Sequence, residues 1–103
     1  MNKALVIIEL IRILSGHHDV NPEYMTCLAR YESDYQVNAV SSAGAMGVFQ
    51  IMPSTAHWWG DLSGLSDHVE EALPNINLAA WAVANGYAEH WSADRFCKHL
   101  GRP

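Results

Sequence analysis

The chain is poor in positive charge. Its 103 residues include six Lys or Arg against eleven Asp or Glu, and the formal net charge is −5 with histidine neutral. Binding to nucleic acid requires a basic surface that offsets the phosphate charge. The composition therefore argues against a nucleic-acid partner, and it provides no electrostatic attraction to an anionic membrane or cell wall.

Cysteine is scarce as well, since only Cys27 and Cys97 are present. Neither lies in a C-x-x-C pair, so a thiolate metal site is not expected, and we predict neither a metal nor a cofactor. Two interpretations stay open for the thiols. They are free in a reduced protein, or they join the second helix to the last one. Such a bond would close a long loop and stabilise the fold by roughly 2–4 kcal/mol.

No apolar run is long enough to cross a bilayer. The most apolar stretch covers residues 4–14, whereas a transmembrane helix needs about 20 residues. A signal peptide is one interpretation of this stretch. However, Glu9 and Arg12 interrupt it, and no small-residue cleavage site follows before His17. We therefore predict a buried N-terminal helix rather than a cleavable signal.

The alternation of apolar and polar residues that marks a half-buried strand is also missing. We predict an all-α fold, or α with a vestigial β-hairpin, in one compact domain of residues 1–103. Asn21 should cap the second helix, Pro74 should open the core helix, and Ser92 should cap the last one. The predicted helices cover residues 3–14, 22–34, 53–59, 74–86 and 93–100, with a loop over residues 36–47.

Aromatic residues are plentiful by contrast, with four Trp and four Tyr. Large aromatic side chains usually fill a core. The functional interpretation is a groove lined with rings, because the faces of sugars stack well on indole and phenol groups.

Glu32 is the first candidate for chemistry. At helical spacing it falls on the same face as Met25, Leu28 and Ala29. A carboxylate in such a position is usually solvated or ion-paired. If it lies in a partly apolar pocket, however, its charged form is disfavoured and its pKa rises, so that it can donate a proton near neutral pH. Protonating a glycosidic oxygen requires such a group.

Residues 27–56 carry a specific motif. The Glu32-Ser33 pair at a helix end, the loop 38–47 and the run Gly47–Pro53 resemble the signature of soluble lytic transglycosylases and goose-type lysozymes. The resemblance implies a lysozyme-like helical domain with Glu32 as the general acid. It also implies that Ser33 and Gln50 help hold the substrate, and we predict Met52 of the same run as a further substrate contact. The alternatives are a helix-end hydrogen bond for Ser33 and a loop-bracing role for Gln50.

A second, shorter resemblance overlaps the first. Residues 27–35 and 91–98 are similar to the segments around the catalytic Glu and its disulfide partner in c-type lysozymes. This resemblance implies a Cys27–Cys97 disulfide. The chain departs from those enzymes at Ala45, which stands where their second carboxylate is expected. A mechanism with two carboxylates would then need one of three other acids to reach the site, namely Asp34, Asp61 or Asp67.

A third motif of the transglycosylases, Ala-Tyr-Asn-Ala-Gly on a later helix, is only partly matched by residues 79–87. Trp81 replaces its Tyr and Ala82 replaces its Asn. Trp81 is then either a core residue or a substrate contact. Tyr87 is a second candidate for placing a ring against the glycan.

Together the resemblances imply an enzyme that cleaves peptidoglycan at the β-1,4 bond between N-acetylmuramic acid and N-acetylglucosamine. The product, either hydrolysed or 1,6-anhydro, stays open. The alternatives are a chitinase or chitosanase and a non-catalytic, lysozyme-shaped binding module. We expect a monomer that acts outside the cytoplasm, whether secreted, periplasmic or phage-associated, with peptidoglycan strands as its partner.

Overall fold

Helices form almost all of the regular structure in the computed structural model, which describes residues 2–103. Within these residues, five α-helices are joined by loops and by two short 3₁₀ turns, at Ala88–His90 and Lys98–Leu100. The helices are α1 Lys3–His17, α2 Pro22–Ser33, α3 Pro53–Ser63, α4 Ala72–Ala84 and α5 Asp94–Cys97. The prediction of an all-α fold is confirmed.

The start of α2 follows its sequence signals. The Asn21 side chain accepts a hydrogen bond from the Glu23 N–H at 3.0 Å, and Pro22 occupies the first helical position. The helix ends at Asp34, whose φ of 52° lies in the left-handed region and whose N–H bonds to the Arg30 carbonyl. Both ends of the helix that carries Glu32 are thus defined by local hydrogen bonds.

Two helices, α1 and α3, extend beyond the ends predicted from the sequence because each continues through a glycine. α1 continues through Gly16 to His17, because a single glycine costs a helix only about 1 kcal/mol. α3 continues past Gly60 and ends where Gly64 adopts a φ of 75°. A Cβ on Gly60 would lie 3.1 Å from the Asp67 Cβ and 3.3 Å from the Leu65 carbonyl oxygen. The role of Gly60 is therefore to admit a close loop, and the predicted end of this helix at residue 59 was wrong.

Two predicted helix starts also differ. α4 begins at Ala72, so Pro74 lies within its first turn, where the missing N–H would have had no helical partner anyway. Ser92 does not cap the last helix. The cap residue of α5 is Ala93, without a side-chain hydrogen bond, and the segment predicted as one helix divides into α5 and a 3₁₀ turn.

The vestigial hairpin consists of isolated antiparallel bridges. Val40 pairs with Met46, and Met46 pairs with Ile51. These pairs fold residues 46–51 into a tight turn, which we call the site loop. It lies between α2 and α3 in the chain.

The core is built around α4. Seven of its thirteen residues are buried, and α1 and α3 pack against it. α1 buries only Ile7, Ile11 and Ser15, whereas Leu5 and Ile13 are 62% and 58% exposed. The expected N-terminal helix is thus buried along one stripe. Among the described residues, no helix is both long enough and apolar enough to cross a membrane.

A disulfide between Cys27 and Cys97 joins α2 to the end of α5, with their Cα atoms 5.9 Å apart. The pairing that the resemblance implied is confirmed. Nearby, the Asn21 amide donates to the carbonyl oxygens of Leu100 and Gly101, both at 2.9 Å. The C-terminal segment is therefore attached to α2 at two points, the N-cap residue Asn21 and the mid-helix residue Cys27.

A buried polar cluster completes this attachment. The Tyr24 hydroxyl donates to Asp94 Oδ1 at 2.7 Å, and Arg102 donates to both oxygens of the same carboxylate. Only 6% of Asp94 is exposed. A carboxylate that far from water requires such partners.

Candidate active site

Glu32 lies in the last turn of α2, at the end of the stripe formed by the buried residues Met25, Leu28 and Ala29. Its side chain is half-buried. No hydrogen bond or ion pair from residues 2–103 reaches its carboxyl group. Burial raises the pKa of Glu32 above its usual value, and no charged neighbour contributes. A carboxyl group in this state holds its proton to a higher pH than an exposed glutamate does.

The three other acids considered from the sequence have different surroundings. Asp34 is exposed and terminates α2. Asp61 and Asp67 both lie beside His57, with carboxylate oxygens 3.5 and 3.4 Å from its ring nitrogens. None of the three contributes to the raised pKa of Glu32. Within the described part of the chain, Glu32 therefore has no electrostatic partner acid.

Ser33 ties the end of α2 to the site loop. Its hydroxyl donates to the Val48 carbonyl oxygen at 2.7 Å and accepts from the Gln36 N–H at 3.2 Å. A hydrogen bond at the helix end was one of the two interpretations of Ser33, and the structure shows that bond. Contact between Ser33 and substrate stays a prediction.

Gln50 braces the site loop from within. Its side-chain nitrogen donates to the carbonyl oxygens of Gly47 and Ala39, at 2.9 and 3.1 Å. Its own backbone has a φ of 49°, a conformation that is uncommon for a residue other than glycine. The bracing role is thus visible, while the side-chain carbonyl oxygen is left for the predicted contact with substrate.

Met52 is half-buried and directly precedes α3. Its carbonyl oxygen accepts from the Ala56 N–H at 2.9 Å. The residue therefore contributes to the start of the helix, and its predicted contact with substrate stays a prediction.

Asn75 is a site-loop partner that the sequence reasoning did not identify. It is fully buried on α4. Its Oδ1 accepts from the Phe49 N–H at 2.9 Å, and its Nδ2 donates to the carbonyl oxygens of Met46 and Val69, both at 2.8 Å. The available signal was a pair of amides, Asn75 and Asn77, near the start of an otherwise apolar helix.

Trp91 holds the loop from a third side. Its indole N–H donates to the Phe49 carbonyl oxygen at 2.7 Å. Ser33, Asn75 and Trp91 thus reach the loop from α2, α4 and the segment before α5. Together they bond three consecutive positions of its backbone, namely the Val48 carbonyl, the Phe49 N–H and the Phe49 carbonyl.

Several rings surround Trp59 and Tyr87. We call Trp58, Trp59, Trp81, Tyr87 and Trp91 the aromatic cluster. Tyr87 stacks on Trp81 with ring centroids 5.9 Å apart and meets Trp58 edge-on at 5.2 Å.

Exposure separates the members of the aromatic cluster. Trp59 is completely buried, whereas Trp58 is 50% exposed, and Trp81 and Tyr87 are half-buried. Trp91 contacts Trp59 and bonds the site loop. The cluster is therefore continuous with the loop and presents three partly open rings, one of which, Trp58, the sequence reasoning did not single out.

Three exposed side chains could approach one cation. Ligand atoms of His68, Glu70 and Glu71 lie within 4.8 Å of one another. The His68 ring is already hydrogen-bonded to Glu70 at 3.1 Å. Exposed acidic groups of this kind are common without an ion, so the arrangement carries no assignment.

Comparison with known proteins places most of the chain in one family model. The model described as the transglycosylase SLT domain matches residues 9–93. No curated protein matches the chain. The matched segment includes Glu32, the site loop and the aromatic cluster, whereas Cys97 lies outside it.

Proposed function

Because the chain belongs to the transglycosylase SLT domain family, we propose that it cleaves the glycan strands of peptidoglycan with Glu32 as the general acid. The observation that carries this proposal is the state of the Glu32 carboxyl group. It is half-buried, its pKa is raised by burial, and it lacks an ion-pair or hydrogen-bond partner among residues 2–103. These are the properties of a proton donor.

The proposed bond is the β-1,4 linkage between N-acetylmuramic acid and N-acetylglucosamine. Protonated Glu32 transfers its proton to the glycosidic oxygen as the C1–O bond breaks, and the N-acetylglucosamine chain leaves as an alcohol. The resulting Glu32 carboxylate can then accept a proton from the attacking nucleophile. One carboxyl group serves both steps, as acid and then as base.

The surroundings of Glu32 favour a mechanism in which groups of the muramic acid residue itself attack its C1 atom. A mechanism with a carboxylate nucleophile needs a second acid about 5 Å away, and neither Asp34 nor Asp61 nor Asp67 contributes to the pKa of Glu32. Positive charge at C1 would instead be relieved by the substrate's acetamido oxygen. Attack by the muramic C6 hydroxyl, deprotonated by Glu32, then gives a 1,6-anhydro product. Water activated by the same carboxylate would give hydrolysis, and the match to the transglycosylase SLT domain is the reason that we favour the 1,6-anhydro product.

Substrate contacts are proposed for five residues. The half-buried rings of Trp81 and Tyr87 offer faces for sugar stacking. Gln50 has an unused side-chain carbonyl oxygen, and Ser33 has one remaining lone pair. Met52 would add an apolar contact beside the site loop.

A substrate in the cell wall places the protein outside the cytoplasm. The Cys27–Cys97 disulfide fits this proposal, because such bonds persist in oxidising compartments.

The test is the mass of the products. Purified peptidoglycan is digested with the wild-type protein and with E32Q, and the released disaccharide peptides are analysed by mass spectrometry. We expect 1,6-anhydro products, which are lighter by one water than hydrolysed ones, and none above background with E32Q. Turnover of chitin oligomers without release from peptidoglycan would overturn the proposed substrate.

A further inference from the structure

Asn75 is a polar residue at a fully buried position, where an apolar side chain would have no desolvation cost. The neighbouring residue Ile76 is buried, as are Leu78 and Ala79 further along the same helix. An amide without partners costs several kcal/mol when moved from water into such surroundings. Both ends of the Asn75 amide are nevertheless satisfied, and all three partners are backbone groups outside α4.

The contacts of Asn75 define the shape of the site loop. Its oxygen holds the Phe49 N–H, and its nitrogen bridges the Met46 and Val69 carbonyls. Gly47 passes directly over the amide. A Cβ at that position would lie 2.5 Å from Asn75 Nδ2, and the φ of Gly47 is 78°. Loop and amide are therefore fitted closely to each other.

The site loop is also bonded to the end of α2, at the residue next to the one that Asn75 holds. Phe49 bonds Asn75, and the adjacent Val48 accepts from Ser33, which directly follows Glu32. Asn75 is completely buried, so it does not contact a glycan in this conformation. An effect of Asn75 on cleavage would therefore pass through the backbone that it holds, which is the site loop at Met46 and Phe49 and the segment at Val69.

We propose that Asn75 is a positioning residue of the cleavage reaction, whose amide holds the site loop in the conformation that aligns Glu32 with the bond to be broken. This inference rests on the proposed function. Its kinetic signature is a loss of kcat that is much larger than any change in KM, because Asn75 orients the reacting groups and does not itself touch the sugar, although the loop it holds carries Gln50, a proposed substrate contact.

The first variant, Asn75→Leu, keeps the bulk and removes all three hydrogen bonds. We expect kcat on peptidoglycan fragments to fall roughly tenfold to a hundredfold, the size of effect that small misplacements of reacting groups produce. KM should change far less than kcat, and a modest rise would reflect displacement of Gln50 in the same loop.

The second variant, Asn75→Asp, provides a pH-dependent rescue. A carboxylate there would face the Met46 and Val69 carbonyls with no proton to donate, so burial and these oxygens would raise its pKa. On protonation it regains one O–H donor. The ratio of N75D to wild-type kcat should therefore rise as pH falls, whereas the ratio for N75L should stay flat.

The matched control is Asn2→Asp, the same substitution at the exposed N-cap of α1, where Asn2 accepts from the Ala4 N–H. Asp caps helices about as well as Asn. N2D should follow the wild-type pH profile.

Amide hydrogen exchange tests the role of Asn75 in the loop independently of whether the protein cleaves peptidoglycan. The Ile51 amide donates to the Met46 carbonyl oxygen, which a carboxylate at position 75 would repel, so this amide should exchange faster in N75D at neutral pH and slow again in acid, after correction for the intrinsic pH dependence with N2D. This readout holds even if the wild type cleaves no peptidoglycan, a result that would overturn the function alone. If N75L does not fold, N75D carries the test. A wild-type kcat in N75L, or a flat N75D ratio with unchanged Ile51 exchange, would overturn the proposal.

Discussion

The Ser33 hydroxyl donates a 2.7 Å hydrogen bond to the carbonyl oxygen of Val48. This bond joins the last turn of α2, where Glu32 lies, to the site loop 15 residues further along the chain. Asn75 and Trp91 hold the next loop residue, Phe49, on both sides. The proposed acid therefore stands beside a loop whose backbone is bonded from three separate segments.

The pH dependence of cleavage should reflect the raised pKa of Glu32. Burial is the cause of that shift, and the general acid acts only when protonated. Activity should fall as pH rises through this pKa, and the alkaline limb of the kcat/KM profile should lie above the pKa of an exposed glutamate. The profile measured on soluble glycan fragments checks this. A limb at or below the ordinary value would contradict it.

Loss of the disulfide should destabilise the protein by about 4 kcal/mol, as the loop-closure model gives for a 70-residue separation. Urea unfolding of C27A/C97A against the oxidised wild type measures the difference. Reductant should lower the wild type to the level of the variant and leave the variant unchanged. A difference below about 1 kcal/mol would show that the C-terminal segment is held by its hydrogen bonds alone.

The Arg102–Asp94 pair should make stability acid-sensitive. The hydrogen bond from Arg102 is the main cause that lowers the pKa of Asp94 in the folded protein. Its stabilisation is therefore present above the unfolded pKa, near 4, and is lost as pH falls through the lower, folded pKa.

Arg102→Met should accordingly cost about 2 kcal/mol at neutral pH, since it removes charge-assisted hydrogen bonds. The difference from wild type should shrink in acid, once Asp94 is protonated in both proteins. Urea unfolding at several pH values measures it. A difference that is constant from neutral pH to acid would contradict the assignment.

Tyr87 should act through its ring. Tyr87→Ala should raise KM for glycan fragments about tenfold, equivalent to about 1.4 kcal/mol of binding, with a much smaller change in kcat. Tyr87→Phe keeps the ring and should bind within about twofold of wild type. Steady-state kinetics on both variants tests this, and a large loss in Y87F would assign the role to the hydroxyl instead.

The features that local sequence determines were predicted well. Asn21-Pro22 marks the start of α2, and helical periodicity places Glu32 on its buried stripe. The glycines were harder to interpret, because their roles depend on distant residues. Gly60 makes room for the loop at Leu65 and Asp67, and nothing near it in the sequence indicates that contact.

The candidate site divides in the same way. Glu32, Ser33 and Gln50 belong to one contiguous motif and could be named from the sequence. Asn75 could not, because its three partners lie 6, 26 and 29 residues away. Trp58 was missed because its packing on Tyr87 appears only when α3 and the segment that follows α4 come together.

The measurement that tests the account most directly is the rate at which E32Q releases fragments from purified peptidoglycan. Gln keeps the size and shape of Glu but carries no transferable proton. We predict a loss of at least a hundredfold in rate, in line with removal of a general acid, with an unchanged fold by circular dichroism. Release at the wild-type rate by E32Q would contradict the assignment of Glu32 as the catalytic acid.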